Sequence, residues 1–391
     1  MVYDFDEVVD RRGSGAIKTD GLLRYYGRED LTPLWIADMD FRTPDFIVEA
    51  LRGRLSHEIY GYTRPTESYW NSIMGWEKSL HGWEFTRKEV TYIPGIVRGI
   101  GFVLRCFLQP GDTVLINSPV YPPFINLPTA CGYKIVHSPL IDDGRTYQMD
   151  FEGLEATCAG CRPKVFILSN PHNPAGRVWS REDLARIADI CSRYGVLVIS
   201  DEIHADMALF GNVHTPFQMA SDTAREISIA FAAPTKTFNI AGLVSSFAVV
   251  YNPELRERFF GWLEACELDS PLFLSAIATE AAFTKGADWR RQMLSYVEGN
   301  VEFVIDYLKA NIPAIRPMKP QASFLVWLDC RGLGLDHDGL IDLFVDKARL
   351  ALNDGATFGR EGSGFMRFNV ASPRSVLAES LERLKKAVES L

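Results

Sequence analysis

The sequence has no apolar run approaching the roughly 18 residues that a membrane helix needs, so a helix that spans a bilayer is not expected. Basic charge is in deficit: 41 Lys and Arg stand against 50 Asp and Glu, a formal net charge of −9 at pH 7. With no basic stripe to neutralise phosphates, nucleic acid is not an expected partner. The opening residues Met1-Val2-Tyr3-Asp4-Phe5-Asp6-Glu7 have neither a basic n-region nor an apolar h-region, so no secretory leader is expected and the cytoplasm is the default location. Cysteine is sparse, and seven scattered residues, an odd number, do not make a disulfide framework. Cys158-Ala159-Gly160-Cys161 is a single CxxC with no second pair and no histidine at metal spacing, so reduced thiols are expected rather than zinc. Asp201-Glu202-Ile203-His204 lacks the first histidine of a metalloprotease motif. Low-complexity linkers and internal repeats are missing too. What remains, 47% hydrophobic and 23% charged residues over 391 positions, is the usage of a globular enzyme with room for two domains.

Within that ordinary background one stretch carries chemistry: Pro234-Thr235-Lys236-Thr237-Phe238-Asn239-Ile240-Ala241-Gly242-Leu243. Directly upstream, Ile227 to Ala232 is an apolar run of strand length, which puts Lys236 in the loop at a strand's carboxyl end. In open α/β sheets that edge is where ligands bind. Two further apolar runs end in polar motifs. Val165 to Leu168 leads into Asn170-Pro171-His172-Asn173-Pro174-Ala175-Gly176-Arg177, and Val196 to Ile199 leads into Ser200-Asp201-Glu202-Ile203-His204. A lone loop lysine is ordinarily a solvated charge, but three strand ends bearing asparagine, aspartate and lysine form a set. A pyridoxal 5'-phosphate site needs a carboxylate to keep the pyridine nitrogen protonated and a neutral donor to the ring's phenolate oxygen. It also needs a lysine that forms a Schiff base and later deprotonates the substrate. Asp201, Asn173 and Lys236 fit those roles in turn. For the phosphate, Tyr92-Ile93-Pro94-Gly95-Ile96-Val97 precedes a helix-like stretch to Leu108. The N–H groups of Ile96 and Val97, just after Gly95, would then lie at a helix N-terminus, a natural anion site. Thr235 adds a hydroxyl beside the lysine.

The coarse pattern is α/β, then α+β. Thr113 to Ile116, Tyr133 to Val136, Val165 to Leu168, Val196 to Ile199, Ile227 to Phe231 and Ser246 to Val250 are short runs rich in β-branched residues, and helical stretches separate several of them. The clearest helix begins at Ser180, with Asp183 three residues on in a capping-box arrangement. Leu184, Ile187, Ala188 and Cys191 recur at helical spacing, and Gly195 suits the stop. Alternating strands and helices imply a mostly parallel sheet covered on both faces. After about residue 285 an amphipathic segment, Trp289 to Leu308, leads to strand-like Ser323 to Leu328 and Gly364 to Val370, with a helix over Leu340 to Ala348 between them. That reads as a smaller α+β domain.

Further motifs complete the picture: Pro33-Leu34-Trp35-Ile36-Ala37-Asp38-Met39-Asp40-Phe41, Tyr60-Gly61-Tyr62-Thr63, Ser118-Pro119-Val120-Tyr121-Pro122-Pro123-Phe124, Gly364-Phe365-Met366-Arg367-Phe368-Asn369 and Ser372-Pro373-Arg374-Ser375. In this order, and with the three strand-end motifs, the chain resembles the fold-type I pyridoxal phosphate enzymes of the aminotransferase class I/II superfamily. Within them it is similar to the cystathionine β-lyase, or C–S lyase, branch. The resemblance implies an N-terminal segment (1–47) packed with a small C-terminal domain (286–391), and a large cofactor-binding domain (48–285). It implies that Tyr121 stacks on the cofactor ring and that Arg367 anchors the substrate α-carboxylate, for which a planar guanidinium fork is suited. Ala37 and Asp40 would line the substrate entrance, and Arg374 reads as structural. His204 stands where many relatives place a tyrosine near the phenolate oxygen, and is carried either as a cofactor contact or as a supporting histidine. Tyr62 would reach the phosphate from the neighbouring subunit, which implies a homodimer with shared active sites. Many aminotransferases carry an arginine shortly after the lysine, whereas Gly242-Leu243-Val244-Ser245-Ser246 has none. The lyase branch shares that absence. The activity implied is α,β-elimination from a small amino-acid substrate, cystathionine or a related cysteine S-conjugate, giving a thiol, pyruvate and ammonia. Two alternatives stay open: an aminotransferase, which shares the first steps, and a regulatory or binding protein built on an aminotransferase-like fold.

Overall fold

Runs of apolar residues without alternation become strands buried on both faces. In the computed structural model, which describes residues 2–391, seven of them form one sheet. They are β1 (Val90–Ile93), β2 (Thr113–Ser118), β3 (Lys134–Pro139), β4 (Val165–Ser169), β5 (Leu197–Asp201), β6 (Ser228–Ala232) and β7 (Ser246–Val249). The spatial order is β1-β7-β6-β5-β4-β2-β3. Only β7 runs antiparallel to its neighbours; the other pairs are parallel. The period of two divides each strand between two apolar layers. Ile116, Ile167 and Ile229 pack with Ile100, Val103 and Leu263 on one face, while Leu115, Phe166 and Leu168 pack with Leu184, Ile187 and Cys191 on the other. The expected α/β fold with a mostly parallel sheet is the fold observed.

The helix Arg181–Arg193 starts and stops where its caps dictate. Ser180 accepts the Asp183 N–H at 3.0 Å, and the Asp183 carboxylate accepts the Ser180 N–H at 3.3 Å. Gly195, at φ +66°, reverses the chain, and Val196 N–H returns to the Cys191 carbonyl at 2.9 Å. Ser180→Ala is expected to cost about 1 kcal/mol of stability, read as a lower midpoint of chemical denaturation with activity intact.

A second, wholly antiparallel sheet follows: β8 (Arg316–Met318), β9 (Leu325–Asp329), β10 (Asn353–Asp354) and β11 (Phe365–Asn369), in the order β8-β9-β11-β10. The long helix Ala287–Asn311 and the final helix Arg374–Glu389 pack beside it through Val301, Val304, Leu377 and Leu381. The helix expected over Leu340 to Ala348 starts earlier, at His337, and widens to a π turn over Leu343–Lys347. The N-terminal stretch lies along this second sheet. Thr32–Pro33 pairs in parallel with Leu350–Ala351, Asn369 N–H bonds to the Leu34 carbonyl at 3.0 Å, and Asp40 N–H bonds to the Ala371 carbonyl at 2.9 Å. Two helices not assigned from the sequence, Asp45–Leu55 and Glu67–His81, join this stretch to the large sheet. Among the described residues no helix is long and apolar enough to cross a membrane.

Candidate active site

The carboxyl ends of β4, β5 and β6 open onto a cavity of about 230 Å³, and the turn after β1 closes one side of it. That turn needs Gly95: its φ of +97° is open to glycine and strained for other residues. Gly95 N–H is held by Ser246 Oγ at 3.0 Å and by the Ile93 carbonyl at 2.9 Å. The first internal bond of the helix Ile96–Phe107 runs from Gly99 N–H to the Gly95 carbonyl at 2.9 Å. The N–H groups of Ile96, Val97 and Arg98 therefore have no helical acceptor, and all three residues line the cavity. Together they form an anion-receiving end with the positive pole of a helix behind it.

Across the cavity, Asp201 ends β5 and accepts the Ile203 N–H at 3.0 Å. Burial pushes its carboxyl up to about 7. Lys236 follows β6 and bonds to the Ala37 carbonyl. Its side chain touches the cavity while protein encloses the amine. That enclosure, the largest effect, brings the amine down to about 8, with Arg367 and Lys18 adding to it and Asp38 and Asp201 opposing. His204 is held neutral, at about 3, first by burial and then by the nearby cations Lys236 and Arg367. Its Nδ1 is buried without a partner. Ser169 Oγ fixes the Asn173 backbone at 3.1 Å, and Asn173 Oδ1 accepts from Arg367 Nη1 at 3.1 Å. The Asn173 amide nitrogen is left for a ligand.

Gly95, Ile96, Val97, Tyr121, Asn173, Asp201, His204, Thr235, Lys236 and Ala37 thus line one cavity, although they come from distant parts of the chain. Arg367 joins them through Asn173. Asp40 is not among the residues that line this cavity; it lines a neighbouring one that shares Ala241 with it. Its carboxylate is taken by Arg11 and by the fully buried Lys18, each at 2.9 Å, because a lysine without water needs an anion beside it. Tyr62 is fully exposed in the single chain, on an extended stretch before the helix Glu67–His81, and reaches no other predicted site residue.

Several residues that build the site escaped the sequence reading. Ser169 and Ser246 set the two loops just described. Asn239, at φ +55°, grips the N-terminal loop: its amide donates to the carbonyls of Met39 at 3.0 Å and Phe41 at 2.8 Å and accepts the Met39 N–H at 3.0 Å. Asparagine tolerates left-handed backbone, so its place in Lys236-Thr237-Phe238-Asn239 carried a local signal. Nothing local named a partner 200 positions upstream.

A mixed seven-stranded sheet with a lysine, an aspartate and an anion-binding helix end at its carboxyl edge defines a class of protein. The chain belongs to the aminotransferase class I and II family, whose profile matches residues 30–384. Within it, the chain is 39% identical over 385 residues to "Cystathionine beta-lyase PatB" of Bacillus subtilis, covering 98% of this chain and 100% of that protein. It is 32% identical over 392 residues to "Protein MalY" of Escherichia coli, covering 100% of both. Among solved structures, cystalysin from Treponema denticola, which contains a pyridoxal 5'-phosphate cofactor, superposes with a TM-score of 0.96 at 34% identity, covering 100% of each chain. The family expected from the motifs is the family found.

Proposed function

We propose that this protein is a pyridoxal 5'-phosphate-dependent C–S β-lyase that cleaves cystathionine or related cysteine S-conjugates to a thiol, pyruvate and ammonia. The observation that carries the proposal is the meeting of Lys236, Asp201 and Asn173 in one cavity with an unsatisfied helix N-terminus. The donor set fits the cofactor. The N–H groups of Ile96, Val97 and Arg98 and the Thr235 hydroxyl suit its phosphate, and Asp201 suits a protonated ring nitrogen. The free amide of Asn173 and the partnerless Nδ1 of His204 suit the phenolate side, while Tyr121 offers a ring face. Lys236 is the amine for the aldehyde.

When bound, the cofactor supplies an electron-accepting ring that stabilises negative charge at the substrate Cα. The chain's own residues do the rest. Arg367 binds the α-carboxylate and so fixes which Cα bond is presented. Lys236 takes the Cα proton onto Nζ as general base, and its depressed affinity for protons keeps a useful fraction neutral. Asp201 holds positive charge at the nitrogen end. The thiolate then leaves Cβ, and the released three-carbon enamine hydrolyses to pyruvate and ammonia. Elimination rather than amino transfer is supported by the relatives named above and by the absence of an arginine over Gly242 to Ser246. The test is to give the cofactor-loaded protein L-cystathionine with no 2-oxo acid and to follow pyruvate and ammonia through many turnovers. Amino transfer on adding an acceptor, with no release from cystathionine or cysteine conjugates, would move the protein to the aminotransferases.

Capture of the aldehyde requires a neutral amine. Because burial lowers Lys236 to about 8, the amine is mostly protonated below that pH and mostly neutral above it. The rate of cofactor loading into the cofactor-free protein is therefore expected to climb between pH 7 and 9 and then flatten, as followed by stopped-flow absorbance. A rate that stays level over that window would contradict the assignment.

The same reading makes the protein a homodimer. Tyr62 stands exposed near Ile59 and Tyr60, which are also exposed, and would enter the partner's phosphate site. Sedimentation as a monomer would remove this part. The reading also divides the chain into residues 1–47 with 286–391, and 48–285, a division that limited proteolysis tests by its first cut sites. Cytoplasmic location, where seven free cysteines stay reduced, is tested by fractionation.

A further inference from the structure

Several arginines elsewhere in the protein meet carboxylates. Arg11 pairs with Asp38 and Asp40, Arg331 with Asp329 and Asp142, and Arg28 with Asp30 and Asp346. Arg367, buried in β11, does not. Its guanidinium donates to Asn173 Oδ1 at 3.1 Å, to the Trp35 carbonyl at 3.1 Å and to Asn353 Oδ1, and it lies 5.0 Å from the Phe358 ring centre. All of these partners are neutral. Its Nε is buried with no acceptor. A buried cation held only by neutral groups is a costly arrangement that a ligand anion would complete.

We propose that Asn353 is a specificity-determining residue: it holds the Arg367 guanidinium in place without neutralising it, and so reserves that charge for the carboxylate of an amino-acid ligand. The inference rests on the proposed function only in taking an amino acid as the ligand class. The strand pairing makes the contact obligatory, because Asn353 in β10 sits directly opposite Arg367 in β11. A side chain at position 353 long enough to carry a polar atom therefore meets the guanidinium. Aspartate would reach as far and offer the same oxygen, but it would close an ion pair inside the protein. The acid nearest in sequence, Asp354, is turned away: it accepts the Ala356 N–H at 2.9 Å and stands 3.7 Å from His337 Nε2. Successive strand side chains point to opposite faces, so an aspartate one place along leaves Arg367 unpaired.

The experiment uses the cofactor-loaded protein and two ligands without a leaving group at Cβ, L-alanine and ethylamine, with binding read from the cofactor's absorbance. Asn353→Asp is expected to weaken L-alanine on the order of 100-fold while ethylamine stays within about twofold. The spectrum without ligand should not change. Asn353→Ala, the second variant should the first not fold, keeps the guanidinium charged but loosens it, and is expected to weaken L-alanine alone by about tenfold. Equal losses for both ligands, or L-alanine binding in Asn353→Asp as in the parent, would overturn the proposal. Because binding is read from the first, fast absorbance change, before any amino transfer from L-alanine can convert the cofactor, a protein that proves to be a transaminase leaves this comparison intact.

Discussion

Replacing Lys236 with alanine is expected to lower turnover of L-cystathionine by about 10⁴-fold, since a positioned general base alone contributes up to that factor. No second amine can step in. Lys18, whose charge also acts on Lys236, is fully buried and locked between the Asp40 carboxylate at 2.9 Å and the Asp38 carbonyl at 3.2 Å. The variant should still fold, because alanine relieves the burial that holds the amine at about 8. It should also retain cofactor through the helix end and Asp201, with an absorbance shifted to that of the free aldehyde. Steady-state release of pyruvate above one hundredth of the parent rate would exclude Lys236 as the base. Unchanged turnover would favour a regulatory or binding protein on this fold over any enzyme.

Asp201→Asn is expected to cost on the order of 10³-fold in kcat with KM within a few-fold, the scale of losing one preorganised electrostatic partner. Asparagine keeps the shape and can keep the bond from the Ile203 N–H, so the change isolates the charge. The adjacent Glu202 is no replacement. Its two oxygens are occupied by Ser200 Oγ at 2.9 Å, Phe217 N–H at 2.9 Å and His214 Nε2 at 2.7 Å. Burial, with the charge of Glu202 adding to it and the Ile203 N–H and Lys236 opposing, raises Asp201 to about 7. A cation on the cofactor nitrogen opposes that effect and draws the pair to the charged state, which the variant loses. A tenth or more of the parent kcat in the variant would remove Asp201 from this role.

The strand ends were legible because a parallel sheet buries both faces of each strand. Such strands leave uninterrupted apolar runs, and the first polar residues after them must be turns or a site. Asn173, Asp201 and Lys236 could be read in that way from single segments. The same reasoning could not orient Asp38 and Asp40. Both are acids in a loop, and the partners of Asp40, Arg11 and Lys18, are brought in from elsewhere. Lys18 itself lies in Ile17-Lys18-Thr19-Asp20, a string that reads as surface, yet no part of its side chain is exposed. The loop Ile36–Phe41 was visible as a motif, but its fixing was not. Asn239 holds one end of it, and Asn369 Nδ2 holds the carbonyls of Ile36 and Asp38 at 2.7 Å each. Long-range amide clamps leave no periodicity to read.

That clamp joins residues to others synthesised 331 and 333 positions later. Thr32–Pro33 has no strand to pair with until Leu350–Ala351 exists, and Ile36 and Asp38 wait for Asn369. The large sheet, complete by Val249, can assemble on the ribosome much earlier, since domains form as their segments emerge. A nascent chain can therefore present Lys236 and Asp201 while it still lacks Arg367. Under the role proposed for Arg367 in β11, the capacity for chemistry precedes the capacity for choice.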